Sequence, residues 1–198
     1  MKKLLISLLF LGGTALFASE EAVKAVLKDL QKCQMEMNGT QMLALYHPAY
    51  TENDSEGKSI SYAELKEETA ELDAMRKVIE KATLPDADLL AIVTAVFVLN
   101  ESELTPELRA SISELQNSAE GKKLAAESAK TLEEIRRIYL ESVEDVWKSC
   151  EILSVTVEKD SARINCRMKN SNIDRLADYT FDLIRVNDKW LIKKCVIK

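Results

Sequence analysis

From Cys150 to Lys198 apolar and polar residues alternate in a way that paired strands satisfy and a helix does not. Around the turn Lys159-Asp160, pairing Glu158 with Ser161 sets Val157 opposite Ala162, Val155 opposite Ile164 and Leu153 opposite Cys166 on one side. Arg163, Asn165, Arg167 and Lys169 then take the other side. A second hairpin turns at Asn187-Asp188 and pairs Arg185 with Trp190, Leu183 with Ile192 and Tyr179 with Val196. In that register Asp182 and Lys193 share the polar face, Cys195 lies near Thr180 facing away from Trp190, and Lys194 takes an inward position near the sheet end, where it is expected to reach water. Slipping either hairpin by one residue would expose the whole apolar set, so the pattern constrains architecture strongly and chemistry weakly.

Ahead of this sheet the chain is helical in character. Ser19 caps an expected helix with Val23, Val26, Leu27, Leu30, Cys33 and Met37 on one stripe, ending at Asn38-Gly39. A short helix follows, capped by Thr40, carrying Met42, Leu43, Leu45 and Tyr46, and stopped by Pro48. Residues 49–51 and 58–60 form the arms of a small hairpin. Ser61-Tyr62-Ala63-Glu64 is a capping box for a third helix, with Leu65, Leu72, Met75 and Ile79 inward. Leu89 to Leu99 is expected to be a buried helix. Thr105-Pro106 opens another, with Leu108, Ile112 and Leu115 inward, and a long helix with Leu124, Leu132, Ile135, Tyr139, Val143 and Trp147 on a stripe runs to Lys148.

Met1-Lys2-Lys3, the apolar run to Leu11 and Leu16-Phe17-Ala18 have the layout of a secretory signal peptide cleaved after Ala18, which predicts a periplasmic or secreted protein. The run is shorter than the roughly 20 apolar residues of a bilayer span, so no integral span is expected in the mature chain. The formal charge of −6 becomes more negative once Lys2 and Lys3 are removed, which argues against nucleic acid as a partner. Five glycines and three prolines leave no room for a flexible linker, so residues 19–198 read as a single domain. Disulfides among Cys33, Cys150, Cys166 and Cys195 are permitted outside the cytoplasm, with the pairing open.

Motifs that carry chemistry are few. Glu52-x-Asp54-x-Glu56-Gly57 resembles the start of a calcium loop, but the twelfth position falls on Ala63 where a bidentate carboxylate is needed, so the segment reads as a solvated turn and no metal is expected. The chain has no phosphate loop, no dinucleotide fingerprint and no Ser-His-Asp order, and no cofactor is expected. His47 is the sole histidine and lies between Tyr46 and Tyr50.

Helices, a small hairpin, a helix and a strongly antiparallel C-terminal sheet resemble the NTF2-like (cystatin-like α+β) superfamily. The residues that carry the resemblance are Tyr46-His47-Pro48-Ala49-Tyr50 with Gly57-Lys58-Ser59-Ile60, and Asn187-Asp188-Lys189-Trp190-Leu191-Ile192. It covers residues 20–84 and 148–198; the helical segment at about 85–147 departs from it as an insertion that could cover or fill the cavity. The resemblance implies an α+β fold, with N-terminal helices packed on a curved antiparallel sheet to form a cone. The cone could hold a small apolar molecule, with His47, Tyr50, Tyr62, Tyr179, Phe181 and Trp190 as candidate ligand-binding residues. Arg163, Arg167 and Lys193 on the outer sheet face are a candidate surface for an envelope protein or a second copy. Non-catalytic binding is the leading expectation, and the alternative is a small lyase, isomerase or hydrolase with His47 as base.

Overall fold

The computed structural model describes residues 19–54, 57–82, 105–170 and 175–198. The expected signal peptide and the expected helix at Leu89 to Leu99 lie outside the described residues. In chain order the elements are α1 (Glu20–Met35), α2 (Gly39–Leu43), β1 (Tyr46–Asn53), β2 (Ser59–Ser61), α3 (Tyr62–Ala82), α4 (Pro106–Asn117), α5 (Ala119–Lys148), β3 (Glu151–Val157), β4 (Ser161–Asn170), β5 (Arg175–Val186) and β6 (Lys189–Ile197). The strands form one open sheet in the order β2-β1-β6-β5-β4-β3. All neighbours are antiparallel except β1 and β6, which run parallel. The fold is α+β with helices on a mixed sheet.

Local chemistry sets most boundaries. Ser19 Oγ accepts from Ala22 N at 3.1 Å and starts α1. The Ser61–Glu64 box is formed, with Glu64 Oε2 accepting from Ser61 N at 2.7 Å. Asn187 and Asp188 both have positive φ, as the tight turn joining β5 to β6 requires. The start of α2 differs from expectation: Asn38, not Thr40, is the cap, its side chain accepting from Gln41 N at 3.0 Å. Thr40 is engaged elsewhere, donating its hydroxyl to Asp73 of α3 at 2.5 Å. Tyr46 also belongs to β1 rather than to the preceding helix, and Pro48 is accommodated where the β1–β6 register shifts between Tyr46 and Thr51.

Asp73 holds α2 against α3 by also accepting from Gly39 N at 2.9 Å and Thr40 N at 2.8 Å. Burial pushes its carboxyl up, but the hydrogen bonds from Thr40 and Gly39 and the charge of Arg76 outweigh that and hold it below the usual aspartate range. A depressed folded pKa gives stability that is complete above the unfolded value of about 3.9 and is lost as pH falls through the folded value. Asp73→Asn is therefore expected to cost about 1 kcal/mol at neutral pH, with the gap to wild type closing as the pH falls below the ordinary aspartate range. Urea midpoints at neutral and acid pH check this, and a gap that persists in acid would contradict it.

The hairpin registers hold next to their turns and fail farther out. Val157 faces Ala162 and Val155 faces Ile164 as expected, but Ser154 then pairs with Asn165 and Ile152, not Leu153, with Cys166. Leu153 is the extra residue of a bulge and is exposed. In β6 a second bulge at Lys193 follows the Leu183–Ile192 pair, so Lys194 faces Asp182, Cys195 faces Phe181 and Val196 faces Thr180. This corrects three expectations at once. Lys194 joins Asp182 on the polar face rather than taking an inward position, although it reaches water as expected, Cys195 is buried on the inner face, and Val196 is not the partner of Tyr179. The bulge lets two consecutive lysines both reach water, which an unbroken strand forbids.

The core joins Val23, Val26, Leu27 and Leu30 of α1 to Ile164, Phe181, Leu183 and Ile192 of the sheet. In α3 the buried stripe is Leu65, Thr69, Val78, Ile79 and Ala82, and Met75 is exposed. Leu108, Leu115, Leu124 and Ile135 of α4 and α5, expected inward, are exposed, whereas Ile112 is buried.

Candidate functional site between the sheet and helix α5

Alternation along β1 places Tyr50 and Glu52 on the inner face of the sheet, and the ladder continues that row through Cys195 to Phe181. Tyr179 follows Phe181 on the same face, with ring centroids 6.2 Å apart and planes 14° from parallel. Tyr46 meets Tyr50 edge to face at 4.7 Å. Opposite these rings, Tyr139, Val143, Val146 and Trp147 of α5 close the other wall, with Leu30 and Gln34 of α1 at the back. The result is a half-open cleft of about 430 Å³. That volume lies within the roughly 300–1,000 Å³ of small-molecule sites.

Polar groups fix the walls in place. Gln34 bridges the helices, its side-chain oxygen accepting from Trp147 Nε1 at 2.7 Å and its backbone carbonyl accepting from the Tyr139 hydroxyl at 3.2 Å. Ser149 Oγ accepts from Lys169 N at 2.7 Å, and Lys169 Nζ donates to Asp145 Oδ2 at 2.6 Å, tying the end of α5 to β4 at the rim. Inside, the Tyr50 hydroxyl donates to Glu52 Oε2 at 2.7 Å. Burial pushes Tyr139 and Tyr179 up to about 12. It raises Tyr46 and Tyr50 further, the Tyr50 phenol also feeling Tyr46 and the Glu52 charge. All four phenols are therefore neutral at physiological pH and serve as rings and donors, not as bases. Glu68 on α3 is raised by burial and then by the charge of Glu52.

Of the residues expected to bind ligand, Tyr50, Tyr179 and Phe181 line the cleft. His47, Tyr62 and Trp190 do not. His47 Nδ1 accepts from Ala49 N at 3.1 Å in a local contact beside Pro48. Trp190 is buried in the core, and Tyr62 packs against it at the start of α3. Helix α5, the C-terminal part of the expected insertion, forms a wall of the cleft, and the insertion's residues 85–104, Phe97 and Leu99 among them, lie outside the described residues. The residues missed by sequence reasoning are Glu52, taken for part of a solvated turn, and Gln34. Glu52 stands two residues from Tyr50 in a strand, and that spacing was the signal that would have turned it inward.

On the outer face a larger cleft of about 790 Å³ is lined by Arg163, Asp182, Lys193 and Lys194. Its walls are charged loops and strand faces without aromatic residues. Arg163 Nε donates to Asp182 Oδ1 at 2.7 Å and Arg167 Nε to Asp178 Oδ1 at 2.7 Å, so two of the three cations expected to receive a partner are already neutralised within the sheet. The inner cleft, smaller but walled by rings, is the better ligand site.

All four cysteines are free thiols. Those of Cys150 and Cys166 hydrogen-bond to each other; that contact lowers Cys150, and with burial it raises Cys166. Cys166 and Cys195 share the inner face but β5 lies between their strands. Among the described residues no group of three His, Cys, Asp or Glu side chains could hold a metal ion, and no helix is long and apolar enough to cross a membrane.

No protein-family model and no curated protein sequence matches the chain. Solved structures similar to it are NTF2-like and cystatin-like proteins. An NTF2-like protein of unknown function from Silicibacter pomeroyi is 11% identical, with a TM-score of 0.43 over 90% of this chain and 92% of that one. An NTF2-like protein of unknown function from Shewanella baltica is 10% identical, with a TM-score of 0.43 over 94% and 97%. A domain of unknown function with a cystatin-like fold from Nostoc punctiforme is 10% identical, with a TM-score of 0.41 over 91% and 76%. Similarity at this level concerns broad architecture and says nothing of chemistry.

Proposed function

We propose that this is an exported binding protein that holds a small, largely apolar organic molecule in the cleft between β1, β5 and α5. The observation that carries the reading is a cleft of about 430 Å³ walled by aromatic rings, with its helical wall pinned through Gln34. Such a site is formed before the ligand arrives, which spares the cost of ordering it on binding. The leader-like segment Met1 to Ala18 supports export.

Titration with the neutral apolar dye N-phenyl-1-naphthylamine tests the reading. Saturable binding at one dye per chain is expected, with a change in tryptophan emission because Trp147 lines the cleft. Non-saturable or absent dye binding would overturn it. The position of His47 outside the cleft gives a further expected result. His47→Gln leaves dye affinity unchanged within about twofold, since the side chain makes only a local contact. A loss of tenfold or more (about 1.4 kcal/mol) would return His47 to the site.

A further inference from the structure

Glu52 is an acid on the inner wall of an aromatic cleft, and among the described residues no cation forms an ion pair with it. Its one side-chain hydrogen bond there comes from the neutral Tyr50 phenol at Oε2, which leaves Oε1 available. The cation that also lines the cleft, Lys169, is directed to Asp145 at 2.6 Å. Tyr46, Tyr50, Tyr179, Phe181 and Trp147 line the same cleft as Glu52, and the face of an aromatic ring attracts a cation. Half-burying a carboxylate beside apolar rings costs free energy unless a partner compensates it, and among the described residues no charged one does so. An aromatic enclosure with one uncompensated carboxylate is the recognition chemistry of a cationic nitrogen.

Building on the binding role proposed above, we propose that the ligand carries a protonated amine or quaternary ammonium group on an apolar body, with the cation seated between Glu52 and the rings.

The test compares benzyltrimethylammonium with neopentylbenzene, its uncharged isostere, by ligand-observed NMR titration of wild type and Glu52→Gln. The ammonium ion is expected to bind wild type about tenfold more tightly than the hydrocarbon, and Glu52→Gln is expected to bring the two affinities together. Glutamine can still accept the Tyr50 hydrogen bond, and the hydrocarbon measured on the same variant is the internal reference for the ratio. Equal binding of the two probes to wild type would overturn the cation preference and leave the binding role standing. An ammonium preference undiminished in Glu52→Gln would overturn the assignment to Glu52. Binding of neither probe would overturn this inference and the binding role together.

Discussion

Gly39→Ala is expected to lower folding stability by about 3 kcal/mol or more, enough to leave a marginal domain largely unfolded. A β-carbon at Gly39 would fall inside the contact radius of the Thr69 carbonyl oxygen and 2.6 Å from its carbonyl carbon. Those atoms are backbone, so no rotamer change relieves the overlap, and α2 would have to move away from α3. That movement would also break the hydrogen bonds from Gly39 and Thr40 to Asp73. Thr69 is only 2% exposed because the bare glycine lets α3 come so close. Urea denaturation with an unchanged slope reads the effect. Removing the Thr69 side chain in Gly39→Ala/Thr69→Gly is not expected to restore stability. A single variant within about 0.5 kcal/mol of wild type would contradict the close α2–α3 approach.

Ser142→Trp is the corresponding prediction for the site. Ser142 lines the cleft from an exposed position on α5, so an indole there can enter the cavity without displacing core packing. Filling a preformed apolar site removes the space and the buried area that a ligand would use, and dye affinity is expected to fall at least about a hundredfold. Stability is expected to stay within about 0.5 kcal/mol, as for most surface substitutions. Dye binding with wild-type affinity in this variant would place the dye somewhere other than the cleft.

Much of the fold was legible where chemistry is local. The Ser19 cap, the Ser61–Glu64 box and the pairs adjoining both C-terminal turns follow from side chains a few residues apart. The bulges at Leu153 and Lys193 were not, because a period-two reading assumes an unbroken strand and one extra residue reverses every later assignment. The α3 stripe departed at Thr69, which is buried by Gly39 thirty residues earlier in the chain, a contact that periodicity within one helix does not encode.

The site was legible in part for the same reason. Tyr179 and Phe181 lie on β5, which carries no extra residue there, so the β6 bulge changes their partners and not their face, and their place could be read. Tyr139 and Trp147 were visible as an apolar stripe, but whether such a stripe fills a cavity or walls one depends on how α5 lies against α1 and β4. The Gln34 contacts with α5 and the Lys169 contacts with Ser149 and Asp145 reveal that arrangement. Glu52 was obscured by its neighbours Asp54 and Glu56, which gave the segment the composition of a polar turn although the strand extends to Asn53.

Native mass spectrometry of wild type and Ser142→Trp, expressed and purified side by side, addresses the central claim most directly. Wild type is expected to carry a non-covalent small molecule, or to take up N-phenyl-1-naphthylamine one to one, and Ser142→Trp to fly as the bare chain under the same conditions. A wild-type chain that retains nothing and takes up no dye, or a variant that binds as wild type does, would contradict a ligand site between the sheet and α5.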